Sequence, residues 1–78
     1  MTGAQLAPAQ SAEVVWEERD RKHKGWNAHL HVGAEVIKYH LEEAGDRGAD
    51  DAQLVSLAVK AAQDDGYALQ PASVTVKR

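Results

Sequence analysis

Ala34-Glu35-Val36-Ile37-Lys38-Tyr39-His40-Leu41-Glu42-Glu43-Ala44 is the stretch whose reading decides the fold. Its apolar residues fit two periods. Coiled as a helix, the segment gathers Ile37, His40, Leu41 and Ala44 into one stripe and sets Glu35, Lys38 and Glu42 against it. Glu35 then lies in the first turn, and Gly45 serves as a left-handed C-terminal cap. Extended as a strand, Ile37, Tyr39 and Leu41 alternate with Lys38, His40 and Glu42, and Val36-Ile37 favours β structure. Against the helix, no Ser, Thr, Asp or Asn stands at the expected N-cap, and Glu42-Glu43 sit at the negative end of its dipole. The sequence reading adopts the helix and keeps the strand as its alternative.

The flanking segments are less divided. Glu13 to Arg19 reads as a strand, with Val14 and Trp16 on one face. In Trp26-Asn27-Ala28-His29-Leu30-His31-Val32 the alternation is clearest: Trp26, Ala28, Leu30 and Val32 project one way, Asn27, His29 and His31 the other. A polar loop ending in Gly25 joins the two, which makes an antiparallel hairpin the economical reading. Asp50 or Asp51 opens a helix running to about Asp64, in which Leu54, Leu57, Ala58 and Ala61 recur at helical spacing, and Asp65-Gly66 ends it. Ala72, Val74 and Val76 alternate with Ser73, Thr75 and Lys77 in a last strand, while Pro71 limits Tyr67 to Gln70 to an edge or a lead-in. The expected fold is therefore two-layer α+β. An antiparallel sheet of three or four strands, beginning with a β-hairpin, packs against one or two helices in the order ββααβ, with βββαβ as the alternative.

Size bounds the rest. The chain has 78 residues, no cysteine and no phenylalanine, and a formal net charge of −3. A chain this short buries only about 60% of the surface its unfolded form exposes, so self-association is a reasonable way to hide more. Residues 13–78 are expected to form one domain behind a flexible leader, 1–12, whose Ala/Gln/Ser/Pro composition is neither a secretory signal nor a membrane span. Cytoplasm is the default address, and no cofactor, membrane partner or thiolate metal site is expected.

Charge is unevenly spread. Arg19 to Lys24 carries +3, and the rest of the sequence −6. Cations on a projecting hairpin suit phosphates or an acidic protein surface, and Trp26 at its base offers a ring for stacking. The acidic remainder would repel a polyanion unless the loop stands clear of it. His29-Leu30-His31 places two imidazoles on one strand face, a metal pair only if a third ligand such as Glu17 or Glu35 converges. Ser11, Ser56 and Ser73 sit in no nucleophile motif, there is no phosphate-binding glycine loop, and the paired acids Glu17-Glu18, Glu42-Glu43 and Asp64-Asp65 suit a solvated surface. The expectation is a non-catalytic interaction module that binds a protein partner or itself, with RNA or DNA as the alternative ligand. Its contact residues are Arg19, Arg21, Lys22, His23, Lys24, Asn27, His29 and His31, and none is assigned to a metal.

Two resemblances follow the two readings of residues 34–44. With a helix there, Gly45-Asp46-Arg47-Gly48 lies between two helices. The order β-α-GxxG-α-β is then similar to KH RNA-binding domains, whose GxxG loop clamps the nucleic-acid backbone. Asp46, Asp50 and Asp51 are acidic where that family keeps the loop positive. With a strand there, β-β-β-α-β resembles the core of HicB-type antitoxins, which bind a small RNase toxin. The likeness rests on the hairpin ending Lys24-Gly25-Trp26-Asn27-Ala28, the acid-opened helix and Pro71 before the last strand. Neither resemblance is taken as membership.

Overall fold

A computed structural model describes residues 6–77. It departs from the sequence reading at the deciding stretch: Glu35–His40 is a strand, and only Glu42–Ala44 coils, as one 3-10 turn. The cause lies one step upstream. Gly33, at φ +60°, and Ala34 form a two-residue connection between the paired residues Val32 and Glu35. Glycine first in a two-residue hairpin loop is the requirement of a type II′ turn, which returns the chain directly along the strand it has just left. Val36-Ile37 and Tyr39 then gain a ladder partner, whereas the uncapped helix had no comparable support. Gly45 does take a left-handed φ of +76°, but it closes the 3-10 turn instead of a helix.

The elements are β1 (Ala7–Pro8), β2 (Ser11–Glu18), β3 (Lys24–Val32), β4 (Glu35–His40), α1 (Asp51–Asp64), β5 (Tyr67–Ala68) and β6 (Val74–Lys77). Four strands form one sheet in the order β4-β3-β2-β6, so its strands and helix run βββαβ, with one α-helix among the described residues. The expectation of an all-antiparallel sheet is corrected: β2–β3 and β3–β4 are antiparallel, but β6 lies parallel to β2. Chain direction explains this. A helix crossing back over the sheet delivers the next strand in the direction of the strand before it. β4 runs as β2 does, two reversals apart, so β6 beside β2 must be parallel.

Of the segment 1–12, residues 1–5 lie outside the described residues. Ala7–Pro8 pairs in parallel with Tyr67–Ala68, Gln10 N–H donates to the His31 carbonyl (2.9 Å), and Ala12 is buried in the core.

The helix covers one face of the sheet. Trp26, Leu30, Leu54 and Val14 are its largest fully buried side chains, and Ala58 and Ala62 repeat the Leu54 position at successive turns. Alanines on that stripe let the helix lie close to the strands. Trp16 meets Trp26 edge-on, ring centroids 5.5 Å apart. Trp26 also donates from Nε1 to the Asp46 carbonyl (2.7 Å), tying the loop before the helix to the core. Gly45 to Gly48 thus follows a strand and a turn, without the two flanking helices of the KH-like arrangement.

Candidate binding surface

Period-2 alternation sends the other residues of each strand to the face the helix does not cover. In register, Val15, Asn27 and His40 form one row across β2, β3 and β4; Glu13, His29 and Lys38 form the next; Ser11, His31 and Val36 a third. On the other side of β2, Thr75 stands beside Glu13 and Lys77 beside Val15. Asn27, His29 and His31 are all half-buried here, as the alternation of β3 predicts. His40 is not: the sequence reading placed it on the apolar stripe of a helix, and it is instead an exposed residue of this open face.

Two glutamates organise the face. Glu17 Oε1 accepts from Asn27 Nδ2 (2.6 Å) and lies 3.4 Å from His29 Nε2 and 3.5 Å from Lys38 Nζ. Partial burial raises the Glu17 pKa, but the Asn27 hydrogen bond, His29 and Lys38 outweigh it and leave the carboxyl below its ordinary value. Glu13 binds Lys77 through one oxygen and lies 3.3 Å from His31 Nε2 through the other. Its pKa is lowered, chiefly by the Lys77 hydrogen bond and then by His31. Each imidazole of the His-x-His pair therefore has its own glutamate, and neither candidate third ligand, Glu17 or Glu35, is shared between them. Among the described residues no group of three His, Asp or Glu side chains is placed to hold a metal ion.

The imidazole of His40 belongs to a relay. An ionised carboxylate only accepts, so Asn27 must turn its NH₂ toward Glu17 and its Oδ1 toward β4. His40 Nδ1 lies 3.0 Å from that Oδ1 and must donate to it. Nε2 is left without a partner among the described residues. Gly25 makes room for the ring: a Cβ there would stand 2.8 Å from His40 Cε1.

Above the face, five residues connect the hairpin, Arg19 to His23. The loop is built from within. Asp20 Oδ1 accepts from the N–H of Lys22 and of His23 (both 2.8 Å), Arg19 N–H donates to the His23 carbonyl (2.8 Å), and His23 Nδ1 lies 3.0 Å from the Asp20 carboxylate. These contacts, led by His23, hold Asp20 below its ordinary pKa. Arg19, Arg21, Lys22, His23 and Lys24 are all exposed, as sequence reasoning expected of a hairpin tip. A concavity of about 600 Å³ lies where loop meets face, walled by the cations Arg19, Lys22, Lys24 and Lys38, the carboxylates Glu17 and Glu18, and the imidazoles of His23 and His40. Arg21 is outside it.

Sequence reasoning missed the contributions of Lys38, His40 and Lys77 to this surface. The alternation Lys38/His40 against Ile37/Tyr39 carried the signal for the first two. Lys77 needed the parallel pairing of β6. Together, six of the nine Lys and Arg residues (Arg19, Arg21, Lys22, Lys24, Lys38, Lys77) stand on the open face or hairpin tip with only four carboxylates (Glu13, Glu17, Glu18, Asp20), a net +2. All four histidines share that side, and the remainder of the sequence sums to −5. Comparison with known protein families, curated proteins and solved structures finds no match to this chain. Among the described residues no helix is long and apolar enough to cross a membrane.

Proposed function

We propose that the protein is a non-catalytic interaction module that captures a protein partner on the open face of its sheet, with the basic loop at the rim of the contact. One observation carries this reading: the helix covers one face of the sheet, while the other presents an ordered lattice of Asn27, His29, His31, Glu13, Glu17 and Lys38. Such side chains are already held by neighbours, so less conformational freedom is lost when a partner docks. Their charges are mixed, which suits specificity and register more than raw affinity. The βββαβ order, by which the chain resembles HicB-type antitoxins, supports a protein partner.

The test is alanine replacement of Arg21, Lys22, His29 and His31 together, read by quantitative capture from the native host and by sedimentation of the purified protein. The proposal expects the partner, or the self-associated form, to be lost with the fold intact. Retention of both would end it.

A further inference from the structure

Two carboxylates and four loop or strand cations line the concavity, and their bonding differs. Glu17 receives Asn27, His29 and Lys38, and Glu18 accepts from Trp16 Nε1 (2.9 Å); Asp20, outside the concavity, is used by its own loop. Every acid there is engaged. By contrast Arg19, Lys22 and Lys24 have no ion pair among the described residues, and Lys38 has only its 3.5 Å contact with Glu17, already shared with two other donors. Positive charge at this end of the molecule is therefore unspent on the protein itself.

The remaining acids lie outside it. Glu42, Glu43, Asp46, Asp50, Asp51 and Asp64 are on the 3-10 turn, the following loop and the helix, Asp65 is just beyond the helix and Glu35 opens β4; none of the eight lines the concavity, although Glu42, Glu43 and Asp64 border an adjoining recess with His40. Within the concavity four cations face two carboxylates that are already engaged, so the local charge favours a polyanion.

We infer that this concavity binds the backbone of single-stranded nucleic acid, a second ligand for a surface that shares Lys22 and Lys38 with the protein contact proposed above. Arg19, Lys22 and Lys24 from the loop side and Lys38 from β4 neutralise phosphates of a strand that runs along the rim, and the recess of about 600 Å³, the volume of an ordinary small-ligand cleft, takes one nucleotide unit of it. The rings of His23 and His40 line the same space, and imidazole is among the rings on which unpaired bases stack. His40 is held by Asn27 with Nε2 open to the ligand. The internal bonds of the loop hold its backbone at Arg19, Lys22 and His23, so the positions from which the loop cations project are set in the free protein.

The experiment is fluorescence polarisation of a labelled thymidine oligomer across a salt series, with duplex DNA and an oligoglutamate peptide of equal charge as competitors. Four phosphate contacts predict a log–log slope of about −3, from about −0.7 per phosphate on a single strand. The triple variant Lys22→Gln, Lys24→Gln, Lys38→Gln should weaken binding at least about tenfold and reduce the slope to about −0.7, whereas Lys60→Gln on the helix changes neither. All four positions are exposed, so amide spectra of the variants should match the wild type. No binding at low salt, an unchanged slope in the triple variant, or competition by duplex or oligoglutamate as strong as by unlabelled single strand would overturn the inference. Those outcomes leave the protein contact standing, because capture of a partner from nuclease-treated host extract and sedimentation of the purified protein read it separately.

Discussion

Along β3, Trp26, Ala28 and Leu30 are buried beneath the helix, while Asn27, His29 and His31, one residue over, stand half-exposed among carboxylates and cations. One strand serves two surfaces because successive side chains leave it in opposite directions. The covered face is dry and close-packed. Its opposite is polar, and its groups are held by hydrogen bonds that water can also make. Stability should therefore respond to the first face and recognition to the second, and substitutions can separate them.

The largest effect is expected on the covered side. Leu54→Ala removes a side chain that is 0% exposed, between helix and sheet, and should lower unfolding free energy by about 2–5 kcal/mol in urea titration. For a domain whose whole margin is of order 5–15 kcal/mol, that change alone brings it near unfolding. A loss under about 1 kcal/mol would mean that the helix is not seated on the sheet as described.

Next comes a bond at the boundary of the two faces. Tyr39 shares the covered side with Ile37, and its hydroxyl donates to Asp65 Oδ2 (2.7 Å) just beyond the helix. Burial, with help from Asp65, raises its pKa above the ordinary 10.0. Because the folded pKa is raised, this contribution is fully present below pH 10 and is lost as pH climbs above it. Tyr39→Phe should destabilise by about 0.5–1.5 kcal/mol at neutral pH and flatten the decline in alkali.

Smaller effects belong to the open face. Glu13 and Glu17 have lowered folded pKa values, so their stabilisation is present above about 4.5 and is lost as pH falls below it. Urea midpoints measured down through that range should fall less steeply in Glu13→Gln than in the wild type. An identical acid profile would show that the Lys77 and His31 contacts do not form in solution. Gly25→Ala sharpens the contrast further: its Cβ would displace the His40 ring and break the bond to Asn27, so the His40 ring resonances should move while stability changes little.

Much of this division is legible in the amino-acid pattern alone. The hairpin, the face of Trp26 and Leu30, the helix from Asp51 to Asp64 and the exposed cationic tip follow from period-2 and period-3.6 spacing and from Asp50 at the helix start. Residues 34–44 are not, because Ile37 and Leu41 satisfy both periods. The signal that resolves them is Gly33 directly after an alternating strand, read as a hairpin turn. Two further features depend on distant pairing that no local pattern encodes. The parallel seating of β6, which brings Lys77 to Glu13, follows only once β4 is known to be a strand. The Glu17–Asn27–His40 relay needs three strands in register.

The most direct measurement is a paired capture experiment from the native host using two full-length variants of equal stability. One carries alanine at Arg21, Lys22, His29 and His31; the other carries Lys60→Gln and Gln63→Ala on the exposed side of the helix. If the open face and its loop are the contact surface, the first loses the partner recovered by the wild type and the second retains it. Retention by the first variant, or loss by the second alone, would place the contact on the helix layer and contradict the account.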